Sequence, residues 1–210
     1  MGGPFATQKK GNTRILLHNV GGIGFVTNLR SKETLKMERL KKLRIQHKFD
    51  LLCITEVNKD WRATKEENTI WTGTKGWSEY NRRVQVSTNT TKPTDREFKV
   101  GGTAMIAFDD ISFHITSQFQ DDRKLGRWSG FTITGKNGLS TTFLTCYCPV
   151  VGTSPGSAYA QHLNYMSENR HTIDNMITCP RQLFGVDLRK QIKKTYGQRR
   201  TVNSLWRLQF

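Results

Sequence analysis

Asn19 and Glu56 each close a short apolar run, Arg14-Ile15-Leu16-Leu17-His18-Asn19 and Asp50-Leu51-Leu52-Cys53-Ile54-Thr55-Glu56. An amide oxygen and a carboxylate are hard donors, suited to Mg2+ that keeps several waters and meets a phosphate oxygen. One carboxylate on a rigid strand end can anchor such an ion. Taken singly, Glu56 reads as a solvated strand terminus and Asn19 as an Asx turn, the commoner uses of these residues. The pairing favours the metal. His18 alternates away from Asn19 along a strand and faces the other side.

Further along, Tyr147 offers a phenol that could bond a phosphate oxygen or assist proton transfer, or serve as a core aromatic with a capped hydroxyl. Arg127 has the planar fork that clamps phosphate, and Trp128 a face that stacks on a base or sugar. The plainer alternative is a surface Arg beside a core Trp. Asp109-Asp110 and Asp121-Asp122 read as turns.

These residues need elements to position them. Leu35, Met37, Leu40, Leu43 and Ile45 recur among Lys and Arg between positions 32 and 47, which predicts a helix. A strand, this helix and a second strand would bring Asn19 and Glu56 to one edge of one sheet, in an α/β or α+β chain. The strand over 15–19 is expected to be fully buried. Gly21-Gly22-Ile23-Gly24 lacks the G-x-G-x-x-G spacing and reads as a sharp turn beside a site. The segment 60–100 is polar, with short irregular strands and an exposed loop near 87–94. Gly101 to Phe108 is a buried strand, with Ile111 to Ser117 as its hairpin partner. Phe131 to Thr134 and Thr141 to Cys146 form a hairpin across Lys136-Asn137-Gly138, since Asn-Gly favours a tight β-turn. Helices follow over 156–169 and 181–194.

The 210 residues suffice for one buried domain, and 33 Lys plus Arg against 17 Asp plus Glu give a net charge of +16. Such a charge points to a polyanion, most simply nucleic acid, over an ordinary basic protein. Cys53, Cys146, Cys148 and Cys179 lack zinc-knuckle spacing, and free thiols suit a reducing intracellular compartment. No apolar run approaches the ~20 residues of a membrane span, and the first residues carry no apolar signal core. The sequence leaves the oligomeric state open.

In order, the motifs are Leu17-His18-Asn19-Val20, Cys53-Ile54-Thr55-Glu56-Val57, Gly101-Gly102-Thr103-Ala104-Met105 and Tyr147-Cys148-Pro149. This order resembles the endonuclease/exonuclease/phosphatase family, the DNase I-like fold. Within it, the chain is most similar to the endonuclease domains of non-LTR retrotransposons, with Arg127-Trp128 and Ser157 to Gln161 adding to the likeness. The resemblance runs from Arg14 to Ile192; Thr55 stands where the family often has Gln. It implies a DNase I-like four-layered α/β sandwich, incomplete at the C-terminus, with an arm over 1–12, a domain over 13–194 and a basic tail over 195–210. It also implies Asn19, Glu56 and Tyr147 as catalytic residues, with Glu56 and Asn19 holding Mg2+ or Mn2+. Arg127 and Trp128 would meet a DNA substrate, in an intracellular and nuclear setting.

The family's later Asp-x-Asn and Asp-His motifs have no counterpart, for no acid follows Asp187 and no imidazole follows His171. The expectation is therefore a partial copy of a retroelement endonuclease, with weak or no activity. The alternative is a non-catalytic basic nucleic-acid binder. A small-phosphoester phosphatase is a third reading, against which the charge argues.

Overall fold

Strand β1 (Ile15–Asn19) runs parallel to β2 (Leu51–Thr55), and helix α1 (Lys32–His47) lies between them in the chain. This is the expected strand, helix, strand unit. The computed structural model describes residues 12–24, 32–92, 97–152 and 154–197. Two short helical turns lead on, the second being α2 (Ile70–Gly73), before β3 (Arg82–Ser87) and β4 (Thr103–Phe108) complete a sheet ordered β1-β2-β4-β3. Helix α3 (Asp110–Phe113) is followed by β5 (Ile115–Gln120), β6 (Trp128–Thr134) and β7 (Ser140–Cys146), an antiparallel second sheet in that order. Helices α4 (Ala158–Glu168) and α5 (Pro180–Gly197) end the described chain.

Side-chain alternation sorts these elements into four layers. Even positions of the central strands, Leu52, Ile54, Ile106 and Phe108, bury against Met37 and Leu40 of α1. Odd positions, Leu51, Cys53, Met105 and Ala107, meet Phe131 and Ile133 of the second sheet. The far face of that sheet packs Trp128 on Phe184 and Leu188 of α5. Because β2 is covered on both faces, its apolar run is continuous rather than alternating. The α/β sandwich expected from the sequence is the architecture observed.

Three local expectations change. The strand expected to be fully buried, β1, is an edge strand whose Ile15 and Leu17 are 50% and 67% exposed. It shares the register of Leu51 and Cys53, but among the described residues no second-sheet strand packs extensively on it. Ile111 to Ser117 is not a hairpin partner of β4. The backbone turns at Asp109 (φ 51°), Ile111 enters α3, and β5 pairs with β6 instead, while β3 takes the place beside β4. Helix α5 runs three residues past the boundary expected at Lys194, to Gly197. Residues 1–11 of the arm expected over 1–12, and 198–210 of the tail expected over 195–210, lie outside the described residues. The Asn137-Gly138 turn stands, with Gly138 at φ 75° and the Gly135 N–H donating to Leu139 O at 2.8 Å.

Candidate active site

The ends of β1 and β2 are stitched together residue by residue. Asn19 pairs with Thr55 in register, and Val20 N donates to Thr55 O at 3.0 Å. Gly22 N then donates to Glu56 O at 2.7 Å and Ile23 N to Val57 O at 3.1 Å. On the other side, Val57 N and Asn58 N donate to Gly102 O and Gly101 O, at 3.2 and 2.8 Å. Asn19, Glu56 and the glycine pair before β4 thus share one sheet edge.

This edge is built from left-handed backbone. Glu56 and Asn58 both have φ 54°, and Gly101 and Gly102 have φ 84° and 85°. Gly101 and Gly102 adopt it without penalty. For Glu56 it costs on the order of 1–3 kcal/mol, a cost that tends to persist only where geometry is over-determined around a site. The Asn58 side chain helps to hold it, for its Oδ1 accepts the Gly101 N–H at 2.8 Å.

Tyr147 reaches the same place from the end of β7. Its backbone N–H donates to Arg127 O at 2.7 Å, and its ring lies over Gly101 beside Ala158 at the start of α4. Burial, then the neighbouring Glu56 charge, push the phenol up to about 12. At neutral pH it is therefore protonated and a hydrogen-bond donor. Asn19 is exposed, and its Oδ1 accepts the Gly21 N–H at 3.1 Å, closing the Asx turn that is its ordinary use. Lys36 secures that loop, its Nζ donating to Val20 O and Gly21 O at 2.8 and 3.2 Å.

Glu56 is half-buried, and its carboxylate has no hydrogen-bond or ion-pair partner among the described residues. Asp60, Asp109, Asp121 and Asp187, by contrast, are each paired to arginine. An uncommitted carboxylate in so basic a chain is available to a cation or to a proton in transit. Among the described residues no group of three or more His, Cys, Asp or Glu could hold a metal ion. The donor set therefore fits a one-carboxylate Mg2+ site completed by water, and not a protein cage.

Arg127 and Trp128 do not join this edge as substrate contacts. The Arg127 side chain is 0% exposed, its Nε and Nη2 donating to the two oxygens of Asp121, each at 2.7 Å. Its Nη2 also donates to Asp187 Oδ2 at 3.0 Å, and its guanidinium lies 4.5 Å over the Trp128 ring. Trp128 is 2% exposed and meets Phe184 edge-on. The pair is an internal strut linking the second sheet to α5, so neither side chain has a face to offer a phosphate or base.

The roles of other residues escaped the sequence reading. Asp121, taken as a turn, is a buried hub that also accepts the N–H groups of Arg123, Leu125 and Arg127. Gln161 of α4 accepts from Asn89 Nδ2 and Thr91 Oγ1, each at 3.0 Å, tying the helix to the chain beyond β3. Ser157 caps α4, its Oγ accepting the Ala160 N–H at 3.1 Å, and this much the Ser at a helix start could have signalled.

No protein-family model matches the chain, and no curated protein matches it. Among solved structures it is similar to an endonuclease/exonuclease/phosphatase family protein from Leptotrichia buccalis C-1013-b, at 15% identity with a TM-score of 0.45. That likeness covers 78% of this chain and 64% of the other, so this chain spans under two thirds of that protein's length.

Proposed function

We propose that this protein is a phosphodiester-handling domain of the DNase I-like kind, related to retrotransposon endonucleases. It acts on DNA, with Glu56 as the anchor for Mg2+ or Mn2+. The observation that carries the reading is the Glu56 carboxylate, without a partner among the described residues, held in left-handed backbone beside Tyr147 and on the edge that Asn19 shares. A bound Mg2+ would supply Lewis-acid charge to a phosphate oxygen. The chain's own groups do the rest. Glu56 holds the cation or accepts a proton, and the protonated Tyr147 phenol donates to a non-bridging oxygen. Asn19, at the exposed lip, orients the phosphate through its amide. The +16 charge gathers the polyanion non-specifically.

Turnover is expected to be weak or absent, because no group of three or more His, Cys, Asp or Glu gathers among the described residues. Positioned acid–base groups are each worth ~10²–10⁴-fold. The same scarcity favours a second reading, a basic nucleic-acid binder that does no chemistry. Plasmid relaxation with Mg2+, with Mn2+, with EDTA and with Glu56→Ala separates the two. Slow, metal-dependent nicking lost in Glu56→Ala supports the hydrolase. Binding without nicking, indifferent to EDTA and to Glu56→Ala, supports the binder. Under either reading, affinity for duplex DNA falls steeply with salt as counterions are released. Fluorescence anisotropy showing no binding at low salt would overturn both.

A further inference from the structure

Arg127 connects the candidate site to a second place. Its carbonyl accepts the Tyr147 N–H, and its guanidinium donates to Asp187 on α5. Asp187 lines a cavity of about 410 Å³ between α5 and the segment 170–178. Ile177 and Val186 give this cavity an apolar lining, and Met176, 83% exposed, stands at its lip.

The polar lining is mostly donors. Gln182 spends its Oε1 on the Thr178 N–H and hydroxyl, at 2.8 and 3.0 Å, which leaves its NH2 as the uncommitted half. Among the described residues Arg189 commits only Nε, on Gly185 O at 3.1 Å, and Lys190 has no partner. Of the two acids that line the cavity, Asp187 is paired to two arginines and Asp174 keeps its charge. Asp187 Oδ2 accepts from Arg123 and Arg127, and Asp174 Oδ1 accepts the Met176 N–H at 2.9 Å. A guanidinium and an ammonium offer donors and no acceptor. With Asp187 neutralised, Arg189 and Lys190 outweigh Asp174, so the cavity favours a ligand that is anionic at one end and flat or apolar at the other.

We propose that this cavity binds one nucleotide of an unpaired nucleic-acid strand. Its phosphate would meet Arg189 and Lys190, and its base would lie on Met176, Ile177 and Val186. The inference rests on the reading above that the partner is nucleic acid. The strand must be unpaired because a duplex presents only base edges, whereas an apolar lining takes a base by its face. A methionine thioether packs well on an aromatic face. The cavity volume lies within the ordinary range of small-ligand clefts.

The test uses the full chain and a twelve-residue oligo-dT with one central 4-thiothymidine, cross-linked by light and mapped by mass spectrometry. The expected adduct falls on Met176 or its neighbours between 170 and 190. In Arg189→Ala/Lys190→Ala, two exposed positions, the slope of log affinity against log salt for the single strand should fall by about 0.7, the value for the one phosphate they share. Adducts confined to other segments, or an unchanged slope, would overturn the proposal. So would a poly-Glu peptide that displaces the oligonucleotide from this cavity at lower concentration than unlabelled oligo-dT. Plasmid cleavage and duplex binding by the unsubstituted chain keep the two readings apart. An adduct retained without plasmid cleavage removes only the hydrolase, and duplex binding without the adduct removes only the cavity.

Discussion

The ring of Tyr147 lies so close over Gly101 that a Cβ on that residue would sit 3.2 Å from Tyr147 Cε1. Gly101 also has φ 84°, which disfavours any side chain there. Gly101→Ala should therefore cost about 1–3 kcal/mol, from backbone strain and a displaced ring. Urea unfolding measures the loss. Any metal-dependent cleavage should fall further than in Tyr147→Phe, which keeps the ring in place. An Ala variant as stable as the parent would refute the contact.

Glu56 puts strain and chemistry on one residue. In Glu56→Ala the left-handed backbone remains strained, whereas in Glu56→Gly it relaxes. The glycine variant should be the more stable of the two by about 1 kcal/mol, though both lose the carboxylate. Thermal melts compared in one buffer decide the order, and equal melting would mean that φ at this position relaxes freely.

Arg127→Ala strands Asp121, whose side chain is 0% exposed, and removes a partner from Asp187. Leaving a buried charge uncompensated costs about 3–5 kcal/mol. Replacing both partners, as Arg127→Met/Asp121→Leu, should recover part of that loss. If Arg127→Ala instead kept its melting temperature and lost DNA affinity, the surface-clamp role would be restored.

His162 gives the fold a pH dependence. It is 1% exposed, and its Nε2 lies 3.0 Å from Leu125 O, which can only accept, so Nε2 carries the proton. Nδ1 is buried without a partner among the described residues. Burial, and then the Arg127 charge, lower its pKa from 6.5 to about 4. The folded state thus resists protonation. Its contribution is complete above pH 6.5 and drains away as pH falls toward 4. Melting temperature should drop across that window in the parent and drop less in His162→Gln. Parallel pH profiles for the two would discharge the histidine.

Much of the fold was legible because periodicity and turn chemistry are local. Helix α1 and the Asn137-Gly138 hairpin follow directly from such signals. The Asn19 and Glu56 strand ends share an edge because a parallel strand pair joined by a helix leaves little choice. What could not be read was neighbourhood. An apolar run such as Ile15 to Leu17 looks the same whether or not a second sheet covers it. Asp109 looked like a turn and is one, yet nothing local said that the chain would leave the first sheet there. Arg127 beside Trp128 reads as surface chemistry until Asp187, sixty positions away, is found bonded to it.

Strand β1 has consequences at the bench. Its outer backbone edge has no neighbouring strand among the described residues, and Ile15 and Leu17 face solvent beside it. Bare edges of this kind invite copies to zip together. What holds copies apart is mutual repulsion at +16, which reaches only about 10 Å at 0.1 M salt and about 3 Å at 1 M. Raising the ionic strength therefore also lowers the barrier to self-association. Preparations should be clearest at moderate salt, and should cloud when nucleic acid is removed by brine alone.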